Sequence, residues 1–342
     1  MLYRKGNKLD KRVIFAVAGS GKTTYIVNSL SPEKRSLIIT YTNANFDNLS
    51  RKIAEKFNGK WPENITLMRY FPFLYQFCYK PFLSDQVGAR GVVFGQKPNQ
   101  YVSKKYRDYY LTKNGYFYDN RLALFLEKVI DDIKERIEAY FDEFIIDEIQ
   151  DIAGRDFSFL ESLMLSNVNM LFVGDFFQHT FDTSRDGNAN RSLFSNRPAY
   201  ERRFARKSFI IDASTLTNSW RCSRSVCEFV STNLGINISS NRNSGDDTGV
   251  FFVTESAKKQ EILANPNIIK LHYQNSQNYG FGHRNWGDTK GEDCYEDVCV
   301  MLNKKSAKMH SQSRLCDMAP STRNKLYVAI TRAHGSVYLI YE

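Results

Sequence analysis

The chain has 342 residues, of which 42% are hydrophobic, 14% aromatic and 25% charged, so it has enough apolar material for a packed core. This composition excludes an intrinsically disordered, collagen-like or disulfide-scaffold protein. The 47 Lys and Arg residues outnumber the 37 Asp and Glu residues, and the formal net charge of +10 favours a nucleic-acid partner, although a membrane surface would also fit it.

Short apolar runs alternate with helical patterns along the chain. The runs that predict strands lie at 13–17, 36–40, 143–147, 169–173, 249–253, 268–271 and 337–341. The patterns that predict helices lie at 22–30, 45–57, 121–140, 156–165, 223–234 and 324–332. Such alternation predicts an α/β fold in which helices cover both faces of parallel sheets.

Three regions interrupt this alternation. Residues 80–118 are rich in Tyr, Lys, Gly and Pro and predict a small insertion that extends over about 78–142. Residues 239–248 predict a polar loop. The arginine-rich segment 197–207 is the predicted passage between a first domain at 1–208 and a second domain at 209–342.

Neither a membrane nor a metal-cluster role is expected. No apolar run approaches the roughly 18 residues that a membrane span requires. None of the six cysteines forms a C-x-x-C pair, so we expect reduced thiols and a cytoplasmic protein.

A glycine-rich loop, AVAGSGKT at 16–23, follows the first predicted strand and opens the first predicted helix. In this context backbone N–H groups and the helix N-terminus bind phosphates. We expect Lys22 to reach the β- and γ-phosphates of ATP and Thr23 to ligate Mg²⁺. Ala16 stands where the G-x4-G-K-T pattern has its first glycine.

Carboxylates follow two later strands. The run FIID at 144–147 ends in Asp147, which is a candidate Mg²⁺ ligand, and Glu148 next to it is a candidate for polarising the attacking water. The strand after that leads into GDFFQ at 174–178, where Gln178 is placed to sense the γ-phosphate or to orient water.

In order, these motifs resemble those of the UvrD/Rep-type superfamily 1 helicases, and the resemblance runs nearly from end to end. IIDEIQD and KLYVAITRAH are the most specific matches. The segments that resemble family motifs are AGSGKTT (18–24), TYTNANF (40–46), ITLMRYFPFLYQF (65–77), IIDEIQD (145–151), FVGDFFQHTF (172–181), LTNSWRCSRSV (216–226), GDTKGEDCYEDVCV (287–300) and KLYVAITRAH (325–334).

The resemblance implies two RecA-like domains with the nucleotide between them. It places the loop residues Ala18, Gly19, Ser20, Gly21, Lys22, Thr23 and Thr24 at the nucleotide. It implies that Arg221 and Arg332 are arginine fingers that stabilise charge on the γ-phosphoryl group, with a structural ion pair or a solvated helix face as the alternative. Trp220 replaces the family's tyrosine and can stack on adenine, and either Glu292 or Asp293 can reach the ribose.

The same resemblance implies a track for single-stranded DNA, in which basic grooves hold phosphates and aromatic faces stack on bases. The candidate contacts are Tyr41, Thr42, Asn43, Tyr70 and Phe181. Lysine- and arginine-rich stretches at 104–107 and 304–314 are candidate phosphate contacts. Departures from the family are the absence of its adenine-reading glutamine motif, Thr183 in place of an aromatic residue, and Gly287 in place of histidine.

Taken together, the sequence predicts a compact ATP- and Mg²⁺-dependent helicase or translocase on single-stranded DNA, with 3′→5′ polarity implied by the family and RNA not excluded. One alternative is a nucleic-acid-sensing ATPase that clamps DNA and regulates a protein partner such as a nuclease. A small-molecule kinase is the other, and the two arginine fingers and DEIQD argue against it.

Overall fold

The structure is a computed structural model that describes residues 9–180, 188–242 and 248–342. The chain divides into two compact units. The first contains the described residues of 1–14, 23–174 and 181–212, and the second those of 15–22, 175–180 and 213–342. The passage at Asp212–Ala213 lies close to the predicted boundary, but the phosphate loop and the segment 175–180, which the sequence placed in the first domain, belong to the second unit.

The first unit is built on a six-stranded sheet with the order β3-β2-β6-β7-β1-β8. The β3–β2, β2–β6, β6–β7 and β1–β8 pairs are parallel. All five residues of the second strand are buried, as expected for a strand covered on both faces. The strands of this sheet are β1 (Lys11–Phe15), β2 (Ser36–Thr40), β3 (Ile65–Arg69), β6 (Glu143–Asp147), β7 (Asn169–Gly174) and β8 (Ile210–Asp212).

The helices that accompany this sheet are α1 (Lys22–Ser29), α2 (Asn43–Lys56), α3 (Tyr70–Pro72), α4 (Lys80–Val87), α5 (Asp119–Leu126), α6 (Ile130–Tyr140), α7 (Gly154–Leu163) and α8 (Arg197–Ala205). A π-helical segment at Phe73–Tyr79 joins α3 to α4. The predicted insertion contains α4, α5, α6 and a separate parallel pair of short strands, β4 (Gly91–Val93) and β5 (Tyr116–Tyr118).

The prediction of one helix over 121–140 is wrong. A 3₁₀ turn at Glu127–Val129 separates α5 from α6. Leu122 and Leu126 of α5 and Ile133 and Ile137 of α6 are buried at helical spacing, so the apolar periodicity runs on through the break and the sequence pattern does not reveal it.

The second unit is built on a five-stranded sheet with the order β11-β15-β14-β12-β13, in which every pair is parallel. Its strands are β11 (Val250–Phe252), β12 (Ile269–His272), β13 (His283–Asn285), β14 (Val298–Leu302) and β15 (Val337–Tyr341), and a short parallel pair is formed by β9 (Asn218–Ser219) and β10 (Ser239–Ser240). Its helices are α9 (Arg224–Leu234), α10 (Ser256–Ala264), α11 (Lys304–Ser311) and α12 (Pro320–Ile330). The prediction of an α/β fold with parallel sheets is confirmed by both units.

None of the helices in the described ranges is long and apolar enough to cross a membrane. All six cysteines lie in these ranges and none forms a disulfide; four are buried, and Cys294 and Cys316 are exposed. The described residues also hold no group of three or more His, Cys, Asp and Glu side chains arranged to bind a metal ion.

Candidate nucleotide and nucleic-acid sites

The phosphate loop connects β1 to the N-terminus of α1. Gly19 and Gly21 have φ values of +69° and +86°, a backbone region that glycine adopts without strain. The Ser20 hydroxyl donates a hydrogen bond to the carbonyl of Val17 at 2.8 Å and tightens the turn. The side chain of Lys22, the first residue of α1, is largely buried. A glycine turn that opens a helix in this way is suited to binding an anion.

Backbone hydrogen bonds explain why the loop belongs to the second unit. The Val17 N–H donates to the Leu216 carbonyl and the Trp220 N–H donates to the Gly19 carbonyl, each at 2.9 Å. A Cβ atom on Gly19 would lie 2.6 Å from the Ser219 hydroxyl oxygen. The segment at 216–220 therefore packs directly on the loop and leaves no room for a side chain at Gly19.

Trp220 lies beside the loop with its indole open to solvent. The side chain is 66% exposed, and its Cδ1 atom is 4.0 Å from the position that a Cβ atom on Gly21 would occupy. This placement next to a predicted phosphate site fits the predicted role of Trp220 as a stacking surface for adenine.

Arg221 is held by a carboxylate and a carbonyl of the second unit. Its Nε donates to Asp293 Oδ1 at 2.5 Å, and its Nη1 donates to the Thr331 carbonyl at 3.1 Å. Asp293 also contacts the His334 ring at 2.9 Å. The Asp293 side chain is exposed, and its partial desolvation alone would raise its pKa, but the Arg221 guanidinium and His334 outweigh this effect and hold the pKa below its ordinary value. In this conformation the predicted finger and one predicted ribose contact are bound to each other.

Arg332 is buried, with only 2% of its surface exposed. Its Nε donates to the Val328 carbonyl at 3.2 Å, and its Nη1 donates to the carbonyls of Thr289 and Glu292 at 3.3 and 2.9 Å. The Glu292 carboxylate in turn accepts the Tyr295 hydroxyl. The guanidinium thus braces the 289–292 segment against the end of α12, and a role as an arginine finger requires it to leave these carbonyls.

The predicted catalytic carboxylates end β6 in the first unit. Asp147 is 2% exposed, and Glu148 has a φ of +59°, an uncommon value for a residue with a side chain. The Gln150 amide donates to the Glu148 carboxylate at 2.5 Å. A Cβ atom on Gly174 would overlap Gln150, so this glycine permits the amide to lie where it does. Gln150 was not predicted as a site residue. It is the glutamine of the IIDEIQD motif, so the motif itself could have identified it.

Asp175 and Gln178 begin and end a 3₁₀ turn in the second unit. One carboxylate oxygen of Asp175 accepts the Phe177 N–H at 3.0 Å, and the Gln178 N–H donates to the Asp175 carbonyl at 2.9 Å. The other carboxylate oxygen accepts the hydroxyl of Tyr327 at 2.9 Å. Gln178 is only 3% exposed. Neither Asp175 nor Tyr327 was predicted as a site residue. A tyrosine among apolar helix residues is usually interpreted as part of the hydrophobic core.

The candidate nucleic-acid contacts have different surroundings. The half-buried ring of Tyr41 stacks on Tyr70, with ring centroids 6.0 Å apart. Tyr70 is 3% exposed, so it supports Tyr41 from below, and this burial argues against the prediction that Tyr70 contacts a base directly. Thr42 caps α2 by accepting the Asn45 N–H at 3.1 Å, while the exposed Asn43 accepts a hydrogen bond from Arg69. Phe181 and Thr183 lie outside the described residues.

The donors predicted for Mg²⁺ suit that ion. Thr23 and Asp147 supply a hydroxyl and a carboxylate, which are hard oxygen ligands. Mg²⁺ in nucleotide sites takes one or two protein ligands of this kind and completes its shell with phosphate oxygens and water. The residues present therefore fit the ion.

Comparison with known proteins places the fold among helicases. No protein-family model matches the chain, and no curated protein matches it. Among solved structures, the helicase of PRRSV is 14% identical with a TM-score of 0.51, covering 96% of this chain and 52% of that one. The arterivirus nonstructural protein 10 helicase is 15% identical with a TM-score of 0.51, covering 97% of this chain and 59% of that one.

A structure of the arterivirus nonstructural protein 10 helicase in complex with DNA is 16% identical with a TM-score of 0.51, covering 97% of this chain and 61% of that one. The chain thus spans a little more than half the length of the helicases that it resembles. At 14–16% identity this likeness shows that the chain shares the fold of these structures, which is the coarser part of the resemblance seen in the sequence.

Proposed function

We propose that this chain is a Mg²⁺-dependent ATPase that moves on single-stranded nucleic acid as a UvrD/Rep-type helicase or translocase. The observation that carries the proposal is the phosphate loop, in which Gly19 and Gly21 turn the chain sharply from β1 into α1. The ordered UvrD/Rep-like motifs and the helicase fold support the same function.

The roles of the loop and the carboxylates follow from their chemistry. Lys22 neutralises charge on the β- and γ-phosphates, and Thr23 and Asp147 hold Mg²⁺, which would withdraw charge from the phosphate oxygens. Glu148 polarises the attacking water, and the Gln150 amide fixes the orientation of its carboxylate. Gln178 orients the water or senses the γ-phosphate.

The two arginines contribute unequally. Arg221 lies beside the loop, because its Cβ atom is 2.7 Å from the position that a Cβ atom on Gly19 would occupy. A modest movement of its guanidinium away from Asp293 therefore brings positive charge to the phosphates. Arg332 is buried and donates hydrogen bonds to carbonyl oxygens. It can stabilise the γ-phosphoryl group only if its guanidinium leaves these carbonyls and binds phosphate instead.

Single-stranded DNA is the proposed substrate track, with RNA as an alternative. Tyr41 offers an aromatic face backed by Tyr70, and Asn43 and Arg69 add polar and cationic groups at the start of α2. Stacking and phosphate contacts of this kind are tolerant of base sequence, as a translocating protein requires. The 3′→5′ polarity follows from the UvrD/Rep resemblance.

A second candidate is an ATPase that clamps nucleic acid and regulates a protein partner such as a nuclease. The observation that favours it is the size of the second unit, whose described residues are accounted for by the five-stranded sheet, the β9–β10 pair, their helices and the connections. The described part of this unit holds no inserted domain that could grip a duplex.

ATP turnover, measured with and without single-stranded DNA and RNA of defined length, tests the proposal. We expect stimulation by at least one of them and loss of turnover in Lys22→Ala, because this side chain supplies positive charge at the proposed phosphate site, and thermal unfolding checks that the variant is folded. Lys258→Ala, which removes an exposed lysine of the second unit, is the matched control. Near-normal turnover in Lys22→Ala would contradict the phosphate-site assignment.

A further inference from the structure

Tyr327 joins the phosphate loop to the segment that follows β7. It lies in the middle of α12 and is fully buried. Its hydroxyl accepts the Ala18 N–H at 2.8 Å and donates to Asp175 Oδ2 at 2.9 Å. A tyrosine hydroxyl has one proton to donate and lone pairs to accept, so it can form both hydrogen bonds at once.

The surroundings keep this hydroxyl protonated. Burial raises the pKa of Tyr327 well above its ordinary value, and the nearby Asp175 carboxylate raises it further. Ala18 and Asp175 have no exposed surface, so water cannot replace the hydroxyl at either of them without a local opening of the structure. The link between the loop and the 3₁₀ turn is therefore part of the interior.

Backbone and side-chain partners hold neighbouring residues of the loop. Val17 and Gly19 bind the backbone at 216–220, whereas Ala18 between them is held by a side chain. The Phe177 ring packs edge-on against the Tyr327 ring, with centroids 6.2 Å apart, and fixes where the hydroxyl lies. A phenylalanine at 327 would keep this ring packing and remove the hydrogen bonds.

We propose that Tyr327 is a positioning residue for the phosphate loop, whose hydroxyl holds the Ala18 amide in register with Asp175 so that the loop is arranged to receive ATP phosphates. The effect on ATP rests on the proposed function, whereas the effect on the loop does not. Without the hydroxyl the loop samples other conformations, and its return to this conformation on ATP binding costs free energy. Pre-arrangement of this kind acts on affinity rather than on the chemical step.

The first test compares hydrogen exchange at the Ala18 amide in the wild type and in Tyr327→Phe. We expect exchange at least ten times faster in the variant. The matched control is Tyr341→Phe, which removes a hydroxyl that contacts His310 at 3.0 Å in the same unit and should leave Ala18 unchanged. Equal exchange in the wild type and Tyr327→Phe would overturn the proposal.

The second test is kinetic. In Tyr327→Phe we expect the KM for ATP to rise about tenfold, equivalent to about 1.4 kcal/mol, with kcat within threefold of the wild type. A fall in kcat at unchanged KM would overturn the positioning role. If the wild type proves to lack ATPase activity, the proposed function fails, while the exchange comparison still decides whether Tyr327 holds the loop.

A third measurement needs no variant and covers the case in which Tyr327→Phe does not fold. In the wild type, the Ala18 amide should exchange at least ten times more slowly than the Gly21 amide in the same loop. Comparable exchange at the two amides would show that the hydroxyl does not hold Ala18.

Discussion

Arg221 and Asp293 form an ion pair in the second unit, with Nε 2.5 Å from Oδ1. The sequence assigned them separately, the arginine to the γ-phosphate and the aspartate as one of two candidates for the ribose. Because the carboxylate neutralises the charge of the guanidinium, a bound phosphate must compete with the carboxylate for that charge. Partial desolvation would raise the pKa of the exposed Asp293 carboxylate, but the pair with Arg221 holds this pKa below its ordinary value, so the carboxylate stays charged at neutral pH.

Asp293→Asn separates these two roles. The substitution removes the competing negative charge and keeps the shape of the side chain, so we expect the KM for ATP to fall a few-fold, as Arg221 becomes easier to recruit. Steady-state turnover at varied ATP concentration measures this. A higher KM would instead favour a direct contact between Asp293 and the ribose. Asp317→Asn, at another aspartate paired with an arginine in the second unit, is the control.

Much of the fold could be predicted from the sequence because buried parallel strands are short apolar runs. The strands at 36–40, 143–147 and 337–341 lie where the pattern predicted them. The strands β3 and β14 and the helices α8, α10 and α11 were not among the predicted elements, although all five residues of β14 are apolar and buried. The break between α5 and α6 escaped prediction because burial on both sides of it preserves the periodicity.

The site was only partly predictable. The sequence motifs predict phosphate and Mg²⁺ roles for Gly19, Lys22 and Asp147, because such binding requires those residue types at fixed spacing. They do not reveal that Arg332 is buried among carbonyls or that Tyr327 binds Ala18, since both facts depend on contacts between residues far apart in the chain. Long-range packing of this kind leaves no local pattern.

Gly19→Ala tests the close packing of the phosphate loop. A Cβ atom there would lie 2.6 Å from the Ser219 hydroxyl oxygen, and the φ of +69° disfavours any side chain. We expect the free energy of unfolding to fall by about 1–3 kcal/mol and the KM for ATP to rise. Gly59→Ala is the control, because its φ of +79° is similar and nothing lies within 4 Å of the added atom. Equal losses in the two variants would show that only backbone strain matters.

Arg332→Ala tests whether a buried arginine also serves catalysis. Its removal deletes the hydrogen bonds that the guanidinium donates to the carbonyls of Val328, Thr289 and Glu292, so we expect the free energy of unfolding to fall by about 2–3 kcal/mol. As a finger, it should also lower kcat by about 10³. Chemical denaturation and turnover measure the two effects separately. Lower stability with normal kcat would leave Arg332 with a structural role alone.

Tyr41→Ala tests the proposed contact with a base. Loss of one stacked aromatic ring should weaken binding of a single-stranded oligonucleotide by about 1–3 kcal/mol, with no change in salt dependence because no charge is lost. Arg69→Ala should instead reduce the slope of log affinity against log salt concentration by about 1, the value expected for the loss of one phosphate contact. Fluorescence anisotropy at several salt concentrations distinguishes them. Tyr70→Phe keeps a buried ring under Tyr41 and should bind normally.

The last prediction concerns the work that a motor of this size can perform. Separation of DNA base pairs costs about 1.4 kcal/mol per step, so unwinding requires both directed movement and a part that holds or splits the junction. The residues proposed for ATP hydrolysis, from Lys22 to Arg332, are present, but the described residues of the second unit contain no inserted domain for gripping a duplex. Hydrolysis alone does not supply that grip.

We therefore expect the isolated chain to hydrolyse ATP in response to single strands and to translocate or clamp on them, while separating long duplexes poorly. A strand-displacement assay with duplexes of increasing length measures this, and Lys22→Ala gives the background. Addition of a protein that holds the junction should extend the length that is unwound. The prediction would be contradicted if the purified monomer processively separated about a few hundred base pairs, each at a cost of ~1.4 kcal/mol. The chain would then provide both the movement and the grip.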